Sequence, residues 1–368
     1  MEVDSEQRFQ AIIKHASDVF IILDSHHFIQ FVSPAVETML GYRAEELVGK
    51  SGTEVAPLAE VFVMETAKSK KNLNKRELVL KRADGVLLDI EVIQANMLQE
   101  PGMKGILITI RDITQKKKAE QAVYHAAFHD YLTDLPNRRM FEEQLDKQLR
   151  IAQFYNKKLA VLLIDLDRFK LVNDTLGHSI GDALLKQLAV NLQSILGKGE
   201  TLYRLGGDEF CIVLDEVKNQ HEVRAFSDKV IKIFKKEFII SGYELNITAS
   251  IGMSLCPEDG ETVDSMLKNA DTALYFAKSQ GRDQAQYYSS LLDVQSFKNF
   301  TLSNDLRKAL EKNEFFLQYM PRVDTKSTQI LGAEALIRWN HADWGMVSPA
   351  EFIPIAEESG LIVAIGEW

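Results

Sequence analysis

Four carboxylates carry the clearest chemical signal in the chain. Asp165 and Asp167 close an almost wholly apolar run, LAVLLIDLD, over 159–167. A run of that kind predicts a central strand buried on both faces. Asp208 and Glu209 follow Gly206 and Gly207, between the segments TLYRL and EFCIVL. Glycines that accept positive φ make this a compact hairpin. Two neighbouring strand ends would bring Asp165 and Asp208 together. Hard divalent cations want oxygen ligands, and Mg2+ takes few carboxylates together with phosphate oxygens. The glycines remove side-chain bulk, so a nucleotide can approach the backbone. Any one of these acids alone fits a turn cap or a wet surface equally well.

Polar residues with matching chemistry lie on either side. Lys170 and Asn173 follow the first acidic pair, and His178 and Asp182 are four apart on one predicted helix face. Lys278 and Arg282 are four apart near a predicted helix end, where the helix dipole alone would favour cations.

The elements that must position these groups fall into three regions. Residues 1–113 alternate short strand-like runs, VFIILD (19–24), IQFVS (29–33), RELVLKR (76–82), VLLDIEVIQANML (86–98) and GILITIRDIT (105–114), with helical stretches near 9–17 and 58–69. Asp84-Gly85 marks a hairpin between two of them. Residues 114–128 carry helix formers with apolar Ala119, Val123, Ala126 and Ala127 at helical spacing, a helical linker. Residues 129–290 alternate helices and strands, which predicts a mixed sheet with packed helices. Residues 291–368 read as a linker, a helix, two strands and the helix SPAEFIPIAEESG, with Ser348 as cap and Pro349 at its first position. The fold class expected is α+β, multidomain.

Composition bounds the rest. The 368 residues are 46% hydrophobic and 26% charged, as in folded domains and unlike disordered chains. Two or three domains fit this length. A formal net charge of -10 gives no overall attraction for nucleic acid or an anionic membrane. No apolar run approaches the roughly 18–20 residues of a membrane helix, and the polar N-terminus is no signal peptide. Cys211 and Cys256 sit in apolar strand-like runs, which fits reduced thiols and a cytoplasmic location.

Residues 129–290 resemble a diguanylate cyclase domain of the GGDEF family. The motifs are GGDEF (206–210), HDYLTDLPNRR (129–139), DLDRFK (165–170), NDTLGH (173–178), Gly181-Asp182 and ADTALYFAKSQGRD (270–283). Asp134 stands where a glycine is more common. The resemblance implies that Asp165, Asp208 and the Leu166 carbonyl bind Mg2+ (Mn2+ as substitute), with Glu209 ligating or positioning it. It implies Asp208 as base toward a ribose 3'-hydroxyl, although a metal-bound carboxylate is a weak base. Asn173 and Asp182 resemble guanine readers, His178 a substrate contact, Lys170 a phosphate contact, and Lys278 with Arg282 the grip on the outer phosphates. Two GTP would then become cyclic di-GMP and pyrophosphate. One such site holds one GTP, so catalysis implies a homodimer. The alternative is a GTP-binding regulatory domain without turnover, serving a phosphodiesterase.

Two neighbours extend the resemblance. Residues 1–113 are similar to a PAS sensor domain, carried by FIILD, FVSPA, the MLGYRAEELVG segment, the Asp84-Gly85 turn and RDIT. Its ligand is unidentified; His15, His26 and His27 are candidate haem ligands that fit surface positions better. Residues 291–368 resemble the start of an EAL cyclic di-GMP phosphodiesterase domain, through YMPRVD (319–324), GAEALIRW (332–339) and SPAEFIPIAEESGLI (348–362). Glu334 resembles a metal ligand there and Arg338 a substrate-phosphate contact. A barrel of this kind needs roughly 250 residues, so a truncated, poorly ordered domain without hydrolase activity is expected. The cyclase family's inhibitory arginine and aspartate are replaced by Gly197 and Glu200. That loses the bidentate phosphate grip and predicts weak product feedback.

Overall fold

A computed structural model describes residues 11–55, 61 and 74–368. Most of the helical stretch expected at 58–69 lies outside the described residues. The chain divides into two compact units, Met1–His125 and Ala126–Trp368.

The first unit is built on five antiparallel strands: β1 (Val19–Leu23), β2 (Ile29–Val32), β3 (Asn74–Lys81), β4 (Leu87–Met97) and β5 (Gly105–Asp112). Their order is β2-β1-β5-β4-β3. Val19, Ile21 and Leu23 of β1 are buried at period two, as a half-covered strand requires. Short helices α1 (Ala35–Leu40) and α2 (Ala44–Leu47) cover that face. Gly41 ends α1 in the left-handed conformation, at φ 78°. His15, His26 and His27 are all exposed, and His27 sits in a turn at φ 67°. Helix α3 (Thr114–Phe128) follows β5 and buries none of its residues.

The second unit opens with α4 (Arg138–Tyr155), capped by the Asn137 side chain, and β6 (Lys158–Leu166). Then come α5 (Phe169–Leu176), α6 (His178–Gln193), β7 (Glu200–Gly206), β8 (Glu209–Val217) and α7 (Gln220–Phe234). A small ribbon, β9 (Phe238–Ile240) with β10 (Tyr243–Leu245), precedes β11 (Ala249–Cys256). Helix α8 (Val263–Ser279) and β12 (Ala285–Tyr287) complete the sheet, ordered β12-β11-β6-β8-β7. β12 is parallel to β11 and the other pairs are antiparallel.

Alternation along β6 explains why both faces are covered. Ala160, Leu162, Ile164 and Leu166 join a core with α5, α6 and α7. Leu159, Val161 and Leu163 join a second core with α4 and α8. Successive side chains point to opposite faces, so a strand apolar at every position is stable only between two layers.

The last segment has a helix, α9 (Ser290–Glu311), that begins before the expected region boundary. Strands β13 (Phe315–Val323), β14 (Ile330–His341) and β15 (Gly345–Val347) form an unclosed sheet, followed by α10 (Pro349–Glu358) and α11 (Ile362–Glu367). The segment has its own core. Trp339, Phe315 and Phe352 stack within 5.6 to 5.7 Å of one another against Leu302, Leu306 and Ala356. Most of β13 and the first half of β14 remain exposed.

Candidate active site

Strand pairing brings the carboxylates to one end of the central sheet. Asp165 stands opposite Glu209, the first residue of β8, and opposite Ser250 of β11. Asp208 lies in the loop between β7 and β8, beside Gly206 at φ 144° and Gly207 at φ 53°. Those backbone angles, in open space, are the reason for glycine at both positions.

Asp165 is more enclosed than Glu209, with a side chain 13% exposed against 45%. Burial pushes its carboxyl above the ordinary carboxylate range. The Lys278 ammonium opposes that shift, and the charges of Asp208 and Glu209 add to it. A cluster that disfavours its own ionisation gains by taking up a cation. Lys278 supplies one here, with Nζ 2.8 Å from Asp165 Oδ2. Asp165, Asp208 and Glu209 are near enough to act on one another electrostatically, they offer the oxygen donors that a hard divalent ion takes, and buried Leu166 ends β6 beside Asp165. Arg138 reaches Glu209 at 3.4 Å, but both side chains are about half exposed and the pair is screened.

The signature loop is anchored from behind. Arg204 donates from Nε and Nη2 to the Gly207 carbonyl at 3.2 and 2.7 Å. Its Nη1 donates to Asp130 Oδ1 at 2.7 Å. Asp130 also accepts from the Thr133 backbone and hydroxyl, at 2.9 and 2.6 Å. Burial penalises the Asp130 charge, yet Thr133 and Arg204 together hold its carboxyl below the ordinary range. Sequence reasoning assigned neither residue a role. The only signal was their place inside quoted motifs or beside GGDEF.

Polar residues of the quoted motifs lie on α5 and α6. Asn173 Oδ1 is buried without a hydrogen-bond partner. A Cβ added to Gly181 would lie 2.0 Å from that oxygen and 3.1 Å from Phe169. Gly181 thus lets the helices meet with Asn173 between them. An unpaired buried acceptor costs roughly 1–3 kcal/mol. Lys170 lies three residues before Asn173 on α5 and is exposed; His178 opens α6, and Asp182 follows one turn later, both exposed.

Lys278 and Arg282 flank a helix end, as expected. Helix α8 ends at Ser279, and Arg282 sits in the following turn at φ 66°. Asp167 has left β6 and is buried among hydroxyl groups, separate from the Asp165 pairing. Asp134 takes φ 62°, which explains the usual glycine there. Glu200 turns back to accept from the Gly197 N–H at 2.5 Å. In the last segment Glu334 is exposed on β14 opposite Met320. Arg338, on the same face, donates to Gln318 at 2.8 Å and to the Ile337 carbonyl at 3.0 Å.

Family comparisons match these units in order. Residues 7–113 match the PAS fold, residues 127–284 the diguanylate cyclase GGDEF domain, and residues 303–368 the EAL domain. The chain is a PAS–GGDEF protein with a partial EAL domain. This PAS–GGDEF–EAL chain is 39% identical over 255 residues to the bifunctional diguanylate cyclase/cyclic di-GMP phosphodiesterase MucR of Pseudomonas aeruginosa, covering 69% of this chain and 37% of MucR. It is 35% identical over 369 residues to the signaling protein YkoW of Bacillus subtilis, covering 99% of this chain and 45% of YkoW. It therefore spans less than half the length of these two relatives. The crystal structure of the GGDEF domain of YfiN (TpbB) from Pseudomonas aeruginosa is 37% identical, with a TM-score of 0.42, over 43% of this chain and 98% of that one. Among the described residues, no helix of the PAS–GGDEF–EAL chain is long and apolar enough to cross a membrane.

Proposed function

We propose that residues 129–290 condense two GTP into cyclic di-GMP and pyrophosphate. The observation that carries this reading is the convergence of Asp165, Glu209 and Lys278 at one sheet end. The 3'-hydroxyl of one GTP attacks the α-phosphorus of another, and pyrophosphate leaves. A second attack in the opposite sense releases a second pyrophosphate and closes the ring. Asn173 accepts a guanine N–H through its unpaired oxygen, and Asp182 accepts a second, which fixes the base; His178 contacts the substrate beside them. Lys170, Lys278 and Arg282 offset phosphate charge and orient the leaving group. Mg2+ held by Asp165, Asp208, Glu209 and the Leu166 carbonyl would add Lewis-acid charge stabilisation and lower the hydroxyl pKa; Mn2+ would fit the same oxygens. Asp208 would receive the proton.

Each domain supplies half of the reacting pair, so a homodimer of facing GGDEF domains is required. The PAS unit and α3 set how often that pairing occurs. In the cell this is a cytoplasmic GTP-consuming signalling protein with neither nucleic acid nor membrane as partner. The test is purified chain with GTP and Mg2+, read by chromatography, beside Asp208→Ala. Product from the parent and none from the variant is expected. Dimeric chain that binds GTP without turnover would favour a second reading, in which the domain regulates phosphodiesterase output. That its relative MucR is a phosphodiesterase as well as a cyclase gives that reading weight.

A further inference from the structure

A buried carboxylate holds the turn that presents Arg282. Asp167 is 6% exposed. Its Oδ1 accepts from the Ser250 hydroxyl at 2.8 Å. Its Oδ2 accepts from the Thr248 hydroxyl at 2.7 Å and from the Asp283 backbone N–H at 3.1 Å. Its own N–H donates to the Thr248 carbonyl at 2.9 Å. Three neutral donors thus satisfy a carboxylate that water barely reaches.

The Asp283 contact is the informative one. Gly281, Arg282 and Asp283 have φ of 111°, 66° and 47° in succession. A run of such angles through two non-glycine residues persists only where its surroundings over-determine it. Here Arg282 N–H donates to the Ala277 carbonyl at 3.1 Å, and Gln284 Nε2 donates to that carbonyl at 2.9 Å. Those bonds tie the turn to α8. Asp167 ties it to the end of β6, the strand that carries Asp165. The Asp167 side chain is therefore one tie between the carboxylate end of the sheet and the base of the Arg282 side chain, beside the Ile251 N–H bond to the Gln284 carbonyl at 2.9 Å.

We propose that Asp167 is a positioning residue for phosphate recognition, acting through Arg282. The proposal rests on the nucleotide reading of the site. Asparagine at 167 offers one amide oxygen and one NH2, so Ser250 or the Thr248–Asp283 pair meets a donor in place of an acceptor. The turn then loses its tether to β6, and the guanidinium loses its alignment with the outer phosphates of a nucleoside triphosphate.

The probe is 3'-deoxy-GTP with Mg2+, which lacks the attacking hydroxyl, titrated calorimetrically into the full chain. Asp167→Asn should weaken its binding about tenfold, the effect of one misplaced charge-assisted bond. Arg282→Ala should weaken it by at least as much. The double variant should bind no more weakly than Arg282→Ala alone, because the tether acts only through that side chain. Losses that add would overturn the proposal, as would an Arg282→Ala chain with parent affinity. Should Asp167→Asn not fold, Thr248→Val removes a donor from the same oxygen and enters the same cycle with Arg282→Ala, judged by the same non-additivity. A parent chain that binds no 3'-deoxy-GTP removes the nucleotide reading and the proposal with it. Binding by the parent with additive losses removes the proposal alone.

Discussion

The GGDEF domain and the EAL segment both carry motif carboxylates on strands, yet they hold them differently. In the GGDEF domain β6 is covered on both faces, and Asp165 emerges from that support beside Glu209 and Lys278. In the EAL segment Glu334 lies on an exposed stretch of an unclosed sheet. Trp339, five residues later on the same strand, is fully buried in a local core. The lesson is that motif residues become a site only where neighbouring layers bring several of them together.

The comparison is open to attack at several depths. Asp165→Asn and Asp208→Ala should each lower cyclic di-GMP formation by more than the roughly 10–100-fold that a lost outer-shell partner costs a metal site. Circular dichroism should show the folded chain intact. Near-parent activity would remove both residues from the reaction.

Trp339→Ala should destabilise the EAL segment by about 3–5 kcal/mol, the usual cost of emptying a large aromatic site. Cyclase turnover should stay at the parent rate, and denaturant melts followed beside the activity assay would read the two quantities separately. A parallel fall in cyclase rate would mean that the two regions are energetically coupled.

Gly181→Ala should raise the KM for GTP about tenfold, since the new methyl must displace Asn173 and roughly 1.4 kcal/mol of binding is lost. Steady-state kinetics on the folded variant decides this. Unchanged KM would argue that Asn173 does not meet the base.

The smallest effects belong to Glu334→Gln, Arg338→Ala and Glu200→Ala. None should alter cyclase turnover, and Glu200→Ala should leave cyclic di-GMP binding to the chain unchanged. Loss of product binding in that last variant would restore an inhibitory role to the Gly197–Glu200 turn.

Much of this was legible from the residues in order. The all-apolar run before Asp165 required a strand between two layers, and Asp84-Gly85 required a hairpin, with Gly85 now at φ 90°. The GGDEF glycines announced a loop with unusual backbone angles. Strand β12 escaped notice because three residues without a strong pattern give no period to read. The ribbon of β9 and β10 escaped for the same reason. Helix α9 takes in the stretch expected as a linker, from Ser290 onward.

The sequence by itself determined residue chemistry, strand periodicity and the order of the three regions. Those depend on local patterning and on motif spacing along the chain. Only the tertiary structure decided which acids meet. Asp165 and Asp167 are two apart, yet one faces Lys278 and the other holds the Arg282 turn. Arg204 and Asp130 are far apart in sequence, yet their buried ion pair fixes the signature loop. Such contacts are set by strand pairing and by where the chain leaves its helices, and no local spacing encodes them.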